Sequence, residues 1–258
     1  MSPRSHLVML VSLAGCATEK TTPAPTLHVR ALPSPAGDAC VYPRLCRGGD
    51  GKIYLSWTRR IEGKLHELQF ARFERGAFSD HKTVASGDNW FVNWADFPSV
   101  TASQDGTLAA HWLQRNGKGT YSYGIRIACS TDGGATWRSP FWLHEDRQAA
   151  EHGFATLVPD GDRFQAVWLD GRDMPRTRHM TLRANTFDAG GTALGEALLD
   201  PMVCECCATD AAMAGSKLLT IYRDRLESNV RDIALVRGAG EAWSAPRAVH
   251  DDDWSTPG

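Results

Sequence analysis

The side chains able to do chemistry fall in a few short stretches. Residues 89–96 read Asn-Trp-Phe-Val-Asn-Trp-Ala-Asp and carry Trp90, Trp94 and Asp96. A second stretch runs from Glu145-Asp146-Arg147 to Glu151-His152. A third ends in Cys204-Glu205-Cys206-Cys207. Arginines recur just after apolar segments: Arg60, Arg115, Arg172 in Asp170-Gly171-Arg172, and Arg225 in Arg223-Asp224-Arg225. Guanidinium forks pair with carboxylates, and aromatic rings stack on sugar faces. Such a set suits a small anionic or sugar-like ligand. The opposing expectation is that these Asp–Arg pairs are structural bridges.

Three thiols in four residues carry a separate chemistry. With Glu205 between them, Cys204, Cys206 and Cys207 could hold Cu or Zn, with His152 completing the set. One or two disulfides, including pairing to Cys40 or Cys46, are the first alternative, and a free redox thiol is the second. No other cofactor is implied.

These groups belong to a repeat. Gly51, Gly106, Gly161 and Gly215 are spaced by 55, 55 and 54 residues. Each precedes an apolar segment ending in an aromatic ring: 53–57, 108–112, 164–168 and 218–222. Shorter segments come before them at 42–45, 97–100, 154–157 and 207–210. Third segments follow at 67–73, 123–129, 178–184 and 231–237, and fourth ones at 78–84, 136–143, 193–198 and 243–249. Four short strands per ~50-residue unit predict an all-β propeller of four-stranded antiparallel blades. No helix-length amphipathic pattern separates the strands. The blades cover 40–84, 96–143, 153–198 and 206–249. The tail, 249–254, echoes 84–90, so the expectation is about four blades of an expected six; a closed four-bladed ring is the alternative. Alternating strands place the 2–3 loops and the blade crossings on one face, around a funnel where ligand groups can converge.

Residues 130–137, Ser-Thr-Asp-Gly-Gly-Ala-Thr-Trp, read as a hairpin turn. Asp132 can accept backbone N–H groups of its own turn, and Gly133-Gly134 permits positive φ. Trp137 folds back as an apolar plug. His111, Trp57, Trp112 and Trp168 read as packing.

That turn fits the Asp-box pattern. With the blade period and Tyr42-Pro43-Arg44-Leu45, it resembles the sialidase superfamily over most of residues 40–258. The resemblance implies Arg44 as the ligand of a substrate carboxylate, Arg60 as a second basic residue and Asp96 as the acid/base. The family's tyrosine nucleophile and its glutamate partner have no assigned counterpart. The implied activity is glycan binding or exo-α-sialidase-like glycoside hydrolysis. A metal or redox protein centred on the cysteines, and a non-catalytic scaffold, are the alternatives.

The chain begins with Arg4 and an apolar run at 7–13, then Leu13-Ala14-Gly15-Cys16, which resembles a bacterial lipobox. Residues 1–16 are therefore expected to be a lipoprotein signal with Cys16 lipidated. Residues 17–38, rich in Thr and Pro, read as a flexible tether, and 39–258 as the propeller. The address is the cell envelope, on the periplasmic or extracellular side, with membrane contact only through the lipid. A net charge of -2 leaves no footprint for nucleic acid. The expected state is a monomer.

Overall fold

The computed structural model describes residues 29–240 and 242–255. The signal segment with Cys16, and residues 17–28 of the tether, lie outside the described residues. The chain divides into two compact units, Met1–Leu32 and Pro33–Gly258. In the first, residues 29–32 are irregular. Among its described residues the second is all-β, with one four-residue helix.

It consists of four antiparallel sheets. The first contains β1 (Cys40–Arg47), β2 (Ile53–Arg60) and β3 (His66–Glu74), with β4 (Ala77–Phe78) and β5 (Lys82–Gly87) sharing the outer edge of β3. The second orders β6 (Ser99–Ala102), β7 (Leu108–Arg115), β8 (Tyr123–Ser130) and β9 (Phe141–Trp142). The third orders β10 (His152–Asp160), β11 (Arg163–Asp170), β12 (Met180–Phe187) and β13 (Ala193–Val203), with α1 (Met174–Thr177) in its 2–3 loop. The fourth contains β14 (Asp210–Ala214), β15 (Lys217–Arg223) and β16 (Ile233–Ala239), with β17 (Ala242–Trp243) and β18 (Arg247–Ala248) on β16. This is the propeller that the repeat predicts, met by four blades.

The period has a local cause. The four register glycines all adopt positive φ, at 78°, 86°, 63° and 65°, in the turns between first and second strands. A side chain there would be strained. Asp50 and Asp105 close two of these turns by accepting the N–H groups of Lys52 (3.1 Å) and Thr107 (3.0 Å).

Apolar cores lie between successive sheets. Tyr54, Phe70, Trp90 and Trp112 pack between the first and second. Ile125, Ile127, Phe164 and Trp168 fill the next layer, and Leu182, Val203, Leu218 and Tyr222 the third. A blade covered on both faces carries near-continuous apolar strands, as in β7 and β11. The first strands of the four blades face a central cavity of about 500 Å³, lined by Arg44, Cys46, Thr101, Thr156 and Asp210 among others.

One expectation needs correction. The segment 136–143 is a strand only at Phe141–Trp142. Asp132 takes the Thr136 N–H at 2.9 Å and its hydroxyl at 2.6 Å, Pro140 offers no N–H, and Trp137 leans edge-on against Phe70 of the first blade at 5.9 Å. In the echoing tail, β18 pairs with β16 as β5 pairs with β3, and the Trp254 carbonyl accepts the Arg231 N–H.

Candidate functional site

The crossing into the second blade places Asp96. Asn93 Oδ1 accepts the N–H groups of Ala95 (2.8 Å) and Asp96 (2.9 Å), which fixes the turn before the carboxylate. Asp96 Oδ2 then accepts the N–H of Phe154, a residue of the third blade 58 positions away. Gly153 makes room for this contact. A Cβ there would fall 2.4 Å from Asp96 Oδ2 and 3.0 Å from the Tyr123 ring.

Asp96 is only 5% exposed. Burial pushes its carboxyl up to about 7, against the pull of the Phe154 N–H and the Arg44 charge, and the Glu151 charge adds to the rise. Glu151 is itself raised by burial and accepts the Tyr123 hydroxyl at 2.6 Å. Tyr123 lies beneath Phe91, the rings stacked at 3.9 Å. Burial and the Glu151 carboxylate drive its phenol well above the usual range, so it remains a donor.

Arg44 completes the group. It is half-buried, its guanidinium lies beside the Cys46 thiol, and its charge acts on Asp96. Among the described residues it forms no ion pair with a carboxylate. Arg44 also lines a cleft of about 480 Å³ with Cys207, Tyr222 and Arg223 of the fourth blade.

The remaining expected ligand groups are mostly committed elsewhere. Arg60 is exposed, 3.4 Å from the Tyr42 hydroxyl, and no contact joins it to Asp96. Trp90 is 8% exposed and packs on Trp112 at 5.5 Å, so it is core rather than a stacking platform. Trp94 is 80% exposed. Asp170 is fully buried and grips Arg172 through Nε (2.8 Å) and Nη2 (2.6 Å), while Arg172 also meets Glu196 at 2.8 Å. That pair is a saturated structural clamp. Arg223 donates to the Arg231 carbonyl and covers the Trp254 ring at 4.6 Å. Asp224 is raised to about 6 by burial and by Asp200, and Arg225 is paired with Glu205.

The thiols do gather. Cys204 Sγ lies 3.3 Å from Cys207 Sγ and 3.9 Å from Cys206 Sγ. All six described cysteines are free, so the expected disulfides, including those to Cys40 or Cys46, are not formed. Cys204 is held down to about 5, first by the Cys207 hydrogen bond and, against burial, by the Cys206 N–H and Arg231. His152 is not part of the cluster. Its Nε2 meets Asp146 at 3.1 Å, its Nδ1 faces the Ala150 and Tyr123 carbonyls, and its ring stacks on His144 at 3.8 Å.

One signal in the sequence marks the site. Asp96, Glu151 and Glu205 each stand ten residues before a register glycine, so three successive crossings carry a carboxylate at one place. Tyr123 and Arg231 have no comparable local mark; only folding brings them to Glu151 and Cys204.

The fold is an all-β propeller of four-stranded antiparallel blades. Similar solved structures include a Hadza microbial sialidase, Hz136 (TM-score 0.54, 15% identity, 80% of this chain and 46% of that one). The intramolecular trans-sialidase from Ruminococcus gnavus, in complex with oseltamivir carboxylate, matches at TM-score 0.53 and 11% identity, over 81% of this chain and 70% of that one. A thermostable family-43 glycoside hydrolase matches at TM-score 0.51 and 11% identity, over 86% and 76%. The chain spans about half the length of the first of these. At these identities the likeness is one of fold. No protein family matches the sequence, and no curated protein does.

Proposed function

We propose that the propeller binds an acidic glycan at the crossing face, with Arg44 taking the sugar carboxylate and Asp96 donating a proton to the glycosidic oxygen. The observation that carries this reading is a cation facing a cleft whose charge reaches a buried carboxyl. Arg44 has no carboxylate partner among the described residues and lines the cleft, and its charge acts on Asp96, whose carboxyl burial pushes up to about 7. A carboxyl group held protonated near the working pH is suited to general-acid chemistry. Tyr123 orients Glu151 through its hydroxyl. In turnover, water would take the anomeric carbon as the glycosidic oxygen leaves with the Asp96 proton. Exposed Trp94 offers a ring for stacking on a sugar face. The similar solved structures, a sialidase, a trans-sialidase and a glycoside hydrolase, agree with a carbohydrate ligand. Lipidation at Cys16 would place the mouth at the cell envelope, where such glycans are met.

The test combines binding and turnover. The chain should bind a sialyl or uronyl oligosaccharide in calorimetry, and Arg44→Ala should weaken that binding at least ~10-fold, as expected for loss of a charge-assisted pair. Turnover of a fluorogenic acidic glycoside should fall in Asp96→Asn. Absence of binding to every acidic glycan tried, together with absence of turnover, would remove the proposal.

A further inference from the structure

The thiol cluster lies outside the proton chemistry of Asp96 and has its own architecture. Cys204 follows β13 directly. Its N–H donates to the Arg223 carbonyl at 3.1 Å, and Val203 bridges to Asp224. The turn at Glu205 and Cys206 then swings two more thiols back toward it, and all three Sγ atoms lie within 4.8 Å of one another. Cys204 is buried, Cys207 half-buried and Cys206 exposed, so the cluster has a fixed floor and an open outer side.

We propose that Cys204, Cys206 and Cys207 form a three-thiolate site for a soft monovalent metal ion, Cu(I). A thiolate–metal bond of roughly 2.3 Å in a planar three-coordinate centre sets the sulfurs about 4 Å apart. Two of the observed separations are 3.3 and 3.9 Å, so closure on an ion needs only rotation of short side chains. Binding would release the thiol protons still present, one for each sulfur that becomes a ligand, with no change of oxidation state.

The surroundings argue against a fourth protein ligand. The Glu205 carboxylate is occupied on both oxygens, by Arg231 at 2.9 Å and by Arg225. His152 is enclosed in its own blade by Asp146 and Asp170. Soft sulfur sets suit both Cu(I) and zinc, but structural zinc sites are almost always closed by four ligands, so three sulfurs without a fourth protein ligand favour Cu(I). Arg231 Nη1 also donates to Cys204 Sγ at 3.3 Å, which places a compensating positive charge beside a centre that would otherwise carry excess negative charge. Such outer partners fix the orientation of a ligand. Because Cys207 also lines the cleft that Arg44 faces, an ion here would sit at the edge of that cleft, sharing Cys207 with it but neither Arg44 nor Asp96.

The experiment is an anaerobic titration of the reduced full chain with Cu(I), in competition with a coloured Cu(I) chelator. The expected result is one ion per chain, with X-ray absorption showing sulfur as the only near scatterer. Cys206→Ser should weaken binding at least ~10-fold, the usual scale for altering a metal's immediate environment. This residue is exposed, and unchanged circular dichroism will show that the variant folds. Cys40→Ser, a thiol outside the cluster, should bind as the parent does. Equal affinity in the parent and in Cys206→Ser, nitrogen or oxygen scatterers in place of a sulfur, or tighter retention of Zn(II) than of Cu(I) in paired competitions would overturn the proposal. Glycan binding is read separately, so failure of either proposal leaves the other standing.

Discussion

Asp96 and Glu151 occupy the same place in successive copies of one blade, 55 residues apart, and the charge of Glu151 helps to keep the proton on Asp96. The repeat supplies both carboxylates. The packing of the third blade against the second makes them unlike: one is buried against a backbone N–H and the other is tied to a phenol.

Asp96 should impose a pH dependence on stability. Its carboxyl rises on folding from 3.8 to about 7, so the unfolded chain binds fewer protons between those values. Stability from this group is therefore full below 3.8, falls as pH rises through that window and is flat above it. Asp96→Asn should remove that slope. Urea unfolding at about pH 4, 6 and 8 reads it directly; an unchanged slope in the variant would count against the assignment.

Asp170 works in the opposite sense. Burial would raise its carboxyl, but Arg172 and the His152 ring bring it down to about 2. Its contribution is present above 3.8 and lost as pH falls toward 2. Asp170→Asn leaves Arg172 with one carboxylate fewer and should cost ~3–5 kcal/mol, the scale of breaking a buried pair. Glycan binding by the folded fraction should survive, because this clamp is not a ligand group. Thermal unfolding and calorimetry separate the two effects.

Gly153 leaves room for the Asp96 carboxylate against the Phe154 N–H. Gly153→Ala should push the carboxyl away from the Phe154 N–H, lower glycan binding by an order of magnitude and destabilise by ~1–3 kcal/mol, as overpacking does. Binding equal to the parent would show that Asp96 need not hold its present position.

The two tryptophans of the first crossing should behave differently. Trp90→Ala opens a cavity beside Trp112 and should cost ~3–5 kcal/mol. Trp94→Ala should alter stability by no more than ~0.5 kcal/mol and weaken glycan binding. Denaturant midpoints and ligand titrations on the two variants check this.

The chain's own pattern of residues determined the blades. Alternating apolar segments, positive-φ glycines and turn-closing aspartates are local devices, and each acts within a few residues of itself. They hold whatever surrounds them, so β2, β7, β11 and β15 start within a residue of where the pattern places them. The carboxylates at 96, 151 and 205 were legible in the same way, once counted from those glycines.

What the tertiary structure decided is which polar groups remain available. Asp96 meets Phe154 across 58 residues, Tyr123 meets Glu151 across 28, and Arg231 reaches Cys204 across 27. The repeat places a carboxylate in each crossing but does not say what that group will meet. Side chains in the crossings and at the strand ends point where the packing of one blade on the next sends them, which turned Trp90 inward, closed Asp170 on Arg172, took His152 away from the thiols and left Arg44 facing the cleft.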